Sequence, residues 1–181
     1  MMHAAGRSVR LLGVNDAAAY RALRLRMLRL HPEAFTSSFA EDVCHPIAWT
    51  ESRIAYSPWL PDNFVLGAFD PDAALIGAVG VQREARRKQA HKASLFGMFV
   101  APEHQGSGVG KALLQASLLR CREAAGLLQV HLTVTAGNQA AKAMYLASGF
   151  VAYGIEPRAV MIDGVGFSKQ HMVLALDDAK L

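Results

Sequence analysis

Only two cysteines, Cys44 and Cys121, occur among 181 residues. That number excludes a disulfide framework and a thiolate zinc site, and makes a reducing cytoplasm the expected compartment. No apolar run is long enough to cross a bilayer: the longest stretch without Asp, Glu, Lys or Arg, residues 124–141, is interrupted by His131, two glycines and Asn138. The opening Met-Met-His-Ala-Ala-Gly-Arg-Ser has no apolar core of the kind a secretion signal needs. Charge of one sign is also scarce. The 19 Lys and Arg against 15 Asp and Glu leave a formal charge of +4, which mildly favours anionic ligands and is too small to indicate a nucleic-acid binder. The densest basic stretch, residues 83–92 (REARRKQAHK), holds no aromatic side chain for base stacking, so nucleic acid is not an expected partner. Its Arg83, Arg86, Arg87 and Lys88 read first as a solvated turn, with a phosphate contact as the alternative.

What is present is an apolar fraction of 52% with 19% charged residues, the balance of a water-soluble globular protein. The length suits one domain over residues 1–181. Val9, Leu11 and Leu12 suggest a first strand, after which Asn15 can cap a helix with Ala19, Leu23, Met27 and Leu30 on one face and Arg21, Arg24 and Arg29 off it. Residues 31–42 (HPEAFTSSFAED) carry no period and predict a loop leading into a second helix over 41–55. NFVLGAF and ALIGAVGVQREA form a predicted hairpin around Asp70-Pro71-Asp72. The strand ASLFGMFVA follows, then a helix with Leu114, Leu118, Cys121 and Ala125 on one side, ending near Gly126. LLQVHLTVT is a strand, Asn138 opens a last helix that Gly149 closes, and β-like runs recur at FVAYGI, AVMIDG and KQHMVLAL. The expected class is mixed α/β.

Between strand and helix lies APEHQGSGVGKALL, with glycines at 106, 108 and 110. Such a turn offers unpaired N–H groups at the positive end of a helix dipole, and glycine lets an anion approach them. It is not a nucleotide-triphosphate loop: counting back from Gly110-Lys111 puts Gln105 at the first glycine and Ala112 at the magnesium hydroxyl. It is not a dinucleotide fingerprint either, because Lys111 or Leu113 falls on the third glycine.

The pattern that remains, Gln-x-x-Gly-x-Gly over residues 105–110, resembles the acyl-coenzyme A turn of the general-control-related N-acetyltransferase (GNAT) superfamily. A second block, TVTAGNQAAKAMYLASGF, is similar to that family's later motif, with Asn138 opening a helix, Tyr145 seven residues on, and Gly149-Phe150 closing it. The order and separation of the two blocks fit, and the likeness extends over about residues 8–176.

The resemblance implies a GNAT acyl-CoA N-acyltransferase fold, a mixed central sheet with splayed strands flanked by helices. It also implies acetyl-CoA as co-substrate, no metal, and a primary amine of a small molecule or peptide as acceptor, with direct transfer in a ternary complex. By the same likeness a homodimer is an expected assembly; with no spanning run, a membrane is not an expected partner. Gln105, Gly106, Ser107, Gly108, Val109, Gly110 and Lys111 would clasp the diphosphate. The backbone around Met98, Phe99 and Val100 would bond the pantetheine arm, with an N–H there polarising the acetyl carbonyl, and Asn138 and Tyr145 would meet the cofactor, with Tyr145 as general acid and Asn138 also able to cap its helix. The cofactor-binding strand lacks the carboxylate many relatives carry there, so Glu33, Glu41, Glu84 and His171 stand as base candidates, each with a plain structural reading as well. Phe35, Ser37, Arg158 and His171 are candidates for substrate contact. Cys121, on an apolar stripe, reads as a buried hydrophobe rather than an acyl carrier. A non-catalytic acyl-CoA sensor is the alternative function.

Overall fold

The alternating apolar runs assemble into one seven-stranded sheet in a computed structural model of the protein, which describes residues 6–57 and 60–177. The first five residues of the opening stretch, read above for a secretion signal, lie outside the described residues. In chain order the elements are β1 (Ser8–Leu11), α1 (Ala17–Leu30), α2 (Phe39–Cys44), α3 (Ile47–Ile54), β2 (Phe64–Phe69), β3 (Leu75–Arg83), β4 (Lys92–Val100), α4 (Val109–Glu123), β5 (Gln129–Thr135), α5 (Gln139–Ala147), β6 (Val151–Ile162) and β7 (Val165–Ala175). Across the sheet they run β1-β2-β3-β4-β5-β7-β6.

Strand alternation sorts side chains onto two faces. Phe64, Leu66 and Ala68 of β2 join Leu113, Leu114, Leu118 and Cys121 of α4 and Tyr145 of α5 in one core. Val65, between them, faces Tyr20, Leu23, Met27 and Leu28 of α1 and Ile54 of α3 in a second core. The sheet is thus sandwiched between two helical layers.

All neighbours are antiparallel except β4 and β5, which pair in parallel only at Lys92↔Gln129, Ala93↔Val130 and Ser94↔His131. Beyond Ser94 these two central strands part. A bulge in β4 accompanies the parting: Ala78 faces Phe99 and Gly80 faces Phe96, so Gly97 and Met98 together stand opposite Val79. Gly97 has φ +56°, a left-handed backbone that glycine adopts without penalty.

Several expectations are corrected. The single helix over 41–55 is two short helices, because Pro46 forces His45 into extended backbone (φ −70°, ψ 138°) and starts α3 afresh. The cap of the first helix is not Asn15: a 3-10 turn at Val14–Asp16 precedes α1, and Asp16 accepts the Gly13 N–H at 2.9 Å while pairing with Arg10. The buried face of α1 is Ala17, Tyr20, Leu23, Arg24, Met27 and Leu28, leaving Leu30 exposed. Arg24 lies inside because Asp42 meets it there at 2.5 Å. Helix α4 stops at Glu123, before Ala125. The two runs FVAYGI and AVMI are one edge strand, β6, whose register shift between Glu156 and Val160 absorbs Pro157.

Candidate functional site

Immediately after β4, a 3-10 turn at Pro102–His104 delivers the chain to the glycine turn. The N–H of Gln105 is accepted by Pro102 and that of Ala112 by Gly108, the first bond of α4. Among the described residues nothing accepts the N–H groups of Gly106, Ser107, Gly108, Val109, Gly110 and Lys111 between them. Gly106 (φ +71°) and Gly108 (φ +86°) are left-handed, and a Cβ on either would point into open space. A left-handed N-cap is unusual, and here it turns successive amides outward ahead of the helix. The turn is braced from behind: Gln105 Nε2 donates to the Val100 carbonyl at 3.2 Å, Ser107 Oγ to His104 at 2.6 Å, and Arg7 to the Ser107 carbonyl at 2.9 Å. Gln105 and Ser107 therefore shape the loop with their side chains, and Val109 buries its own in the core.

Where β4 and β5 part, a cleft of about 190 Å³ opens through the sheet. Met98, Asn138, Ala141 and Tyr145 line it on the α5 side. Past Ser94 the β5-facing backbone edge of β4 has no strand partner. The Tyr145 hydroxyl donates to the thioether Sδ of Met98 at 3.3 Å. Burial pushes the Tyr145 pKa up to about 12, so the phenol is a proton donor throughout the neutral range. Asn138 does cap α5, its Oδ1 accepting the Ala141 N–H at 3.0 Å, while also bordering the cleft. Of the three β4 residues expected at the cofactor, only Met98 lines the cleft. Phe99 packs its ring against Tyr20 and Phe35 in the α1-side core, and the lining begins earlier, at Leu95, Phe96 and Gly97.

On the other side the cleft meets α1, α3 and the connection after α1. Phe35 and Ser37, the candidates for substrate contact, line it, and so do Arg24, Arg53 and Lys169, which the sequence reading did not single out for the site. Lys169 is buried, with Nζ donating to the carbonyls of Glu33 (3.1 Å) and Ala34 (2.8 Å) and to Thr135 Oγ1 (3.2 Å). Burial, only partly offset by Glu33 and Glu156, holds its pKa below the ordinary lysine value. The signal for Lys169 was present: it lies two residues before His171, on the same strand face. For Arg24 it was the spacing Tyr20, Arg24, Leu28, one helical stripe.

The base candidates separate. Glu84 and His171 line a second, wider trough of about 430 Å³ together with His131 and Tyr153. The two cavities share Leu95, Phe96, Leu132 and Thr133. His171 Nε2 is 3.1 Å from Glu156, and burial lowers the His131 pKa. Glu41 is engaged elsewhere: its carboxylate accepts the Ser38 N–H (2.9 Å) and hydroxyl (2.8 Å) as the reciprocal cap of α2, which holds its pKa below the usual range. The Glu33 carboxylate sits 3.8 Å from His31 and lines neither cavity. Arg158 also lines neither; it stands exposed on β6 with φ +52° and lies against Gly166. Cys121 is buried, its thiol pushed up to about 11 by desolvation, and lines neither cavity. Arg83 is tied to Asp62 at 2.6 Å and to the Ala90 carbonyl at 2.5 Å, a structural use of the basic stretch.

The family model described as the GNAT acetyltransferase family matches residues 27–150. A mycothiol acetyltransferase of Salinispora tropica is 34% identical over 141 residues, 76% of this chain and 42% of that protein. The chain thus spans about two fifths of the length of the curated relatives it matches over that region. Among solved structures, an acetyltransferase of the GNAT family from Streptococcus pneumoniae superposes with a TM-score of 0.82 at 23% identity, covering 93% of this chain and 98% of that one. A Salmonella typhimurium structure with its cofactor acetyl-CoA gives 0.77 at 20% identity, with 97% of each chain covered. The fold is the mixed, splayed sheet of these acyltransferases, and the chain belongs to the GNAT acetyltransferase family.

Proposed function

We propose that the protein transfers the acetyl group of acetyl-CoA directly to a primary amine of a small molecule or peptide. The observation that carries this reading is the run of six successive N–H groups, Gly106 to Lys111, without acceptors among the described residues, on a turn whose Gly110 approaches Met98, a residue of the cleft that also holds a protonated tyrosine. The residues fit the co-substrate. The glycine-turn amides suit diphosphate oxygens, and the unpartnered β4 edge beyond Ser94 suits a chain that carries amide groups. Acetyl-CoA, when bound, supplies an activated thioester from which a neutral amine takes the acetyl group, forming a C–N bond as the C–S bond breaks.

The chain's own residues serve the proton movements. Tyr145 holds a proton at its phenol oxygen, already bonded to one sulfur, and is the donor for the departing thiolate. Glu84 and His171, which share the adjoining trough, are the candidates to receive the amine proton through water. Direct attack is supported by the state of Cys121, a buried thiol raised to about 11 and a poor nucleophile.

The test is a panel of primary amines with acetyl-CoA, following thiol release and the mass gain of one acetyl group. One observation favours a second reading, an acyl-CoA sensor: among the described residues no carboxylate lines the cleft. Tight acetyl-CoA binding by calorimetry with no thiol release across the panel would establish the sensor instead.

A further inference from the structure

The acceptor side of the cleft is cationic in a way that acetyl transfer alone does not require. Arg24, Arg53 and Lys169 line it, and among the described residues neither aspartate nor glutamate does. Of these three, among the described residues, only Arg24 pairs with a carboxylate: its Nε binds Asp42 and one terminal nitrogen donates to Ser37 Oγ at 3.1 Å. Its other terminal nitrogen, Nη1, borders the β4 bulge, 3.8 Å from where a Cβ on Gly97 would stand. Lys169 is held by neutral oxygens alone.

Arg53 is the most exceptional of the three. No carboxylate pairs with it among the described residues, and its buried Nε has no hydrogen-bond partner. The guanidinium lies 5.1 Å from the ring centre of Phe96 and 5.3 Å from that of Trp49, so aromatic faces fix it at the cleft wall. A guanidinium held against aromatic rings with donors unspent can receive a planar oxyanion. A thioester carbonyl is neutral before reaction, and a polyamine would be repelled by this lining.

We infer that the acceptor is a small primary amine that also carries an oxyanion, a carboxylate or a phosphate, and that Arg53, with Arg24 beside it, is the group that selects it. This rests on the acetyl-transfer reading and deepens it. The amine then sits near Phe96 and Gly97, where the bulge opens β4 to the cleft.

The test uses the full chain with acetyl-CoA and matched acceptors: the standard L-amino acids, their amides, phosphoethanolamine, and the diamine putrescine. The expected result is that amino acids or phosphoethanolamine exceed the matched neutral and dicationic amines in kcat/KM by about 10- to 100-fold. Amino acids against phosphoethanolamine tells carboxylate from phosphate. Arg53→Gln should collapse that preference, mainly through KM, and Arg53→Lys should restore part of it, while acetyl-CoA affinity and melting temperature stay near wild type. Amides or putrescine acetylated as well as the acids would overturn the inference. So would an Arg53→Gln loss equal for acids and amides, which would place the arginine at the thioester oxygen. If no amine is acetylated, calorimetry of the CoA-loaded protein decides: acids binding more tightly than amides keeps the anion site and removes the transferase reading, and equal binding removes the site.

Discussion

Tyr145 shows how one environment sets one role. Desolvation raises its pKa to about 12, and its ring is packed edge-on against Phe150 at 5.7 Å, so the side chain is fixed as well as protonated. Its hydroxyl has a single partner among the described residues, the sulfur of Met98, a weak acceptor that a better one can displace. Tyr145→Phe keeps the ring and removes only the O–H. Turnover should therefore fall by about 100-fold, the usual worth of a positioned acid, while acetyl-CoA affinity measured by calorimetry changes little. Turnover equal to wild type would show that the sulfur is protonated by solvent. This residue was legible in the sequence because its place depends on local spacing: Asn138 caps the helix, and Tyr145, two turns later, falls on its buried side. Arg53 was not legible. Its significance comes from Phe96, which reaches it only through the packing of α3 against the sheet.

At the scale of elements, the glycine turn and the β4 bulge are the two places where backbone conformation, not side-chain chemistry, makes the site. The turn could be read from sequence, since glycine spacing directly encodes left-handed backbone. The bulge at Gly97 could not, because it is defined by what lies across the strand, Ala78 to Gly80. The same limit explains β6, where an edge position lets Pro157 stay within a strand, and the broken helix at Pro46, where a proline restarted a helix that the apolar pattern carried through. A paired substitution isolates what the turn does. Gly108→Ala and Gly108→Asp both meet open space, and both give up glycine's freedom at φ +86°, costing about 1 kcal/mol of stability. Only the aspartate adds a negative charge where six amides face outward. Both variants should melt a few degrees below wild type, but calorimetry should show acetyl-CoA affinity reduced about 100-fold further in Gly108→Asp than in Gly108→Ala. Equal affinities in the two would mean the diphosphate binds elsewhere.

Over the whole molecule, the two faces of the sheet divide the labour: α4 and α5 carry the amide turn and the phenol, while α1 and α3 carry Arg24 and Arg53 and the connection after α1 carries Phe35 and Ser37. Lys169 joins these halves, since from β7 it holds the carbonyls of Glu33 and Ala34 in that connection and the hydroxyl of Thr135 on β5. Burial costs its charged form something, so its folded pKa lies below 10.5. Between the folded value and the unfolded one the unfolded chain binds more protons, and stability must rise with pH across that window and level off above it. Lys169→Met removes the titrating group and takes a donor from three oxygens, of which the Glu33 carbonyl keeps the Thr135 hydroxyl. It should lower stability by about 1–3 kcal/mol near neutral pH and abolish this lysine's share of the upward slope. Urea midpoints measured at a series of pH values up to the ordinary lysine range test both parts. A slope unchanged from wild type would mean that Lys169 titrates as a free lysine. A midpoint unchanged near neutrality would mean that the connection after α1 is held by Phe35 and its core neighbours without the ammonium.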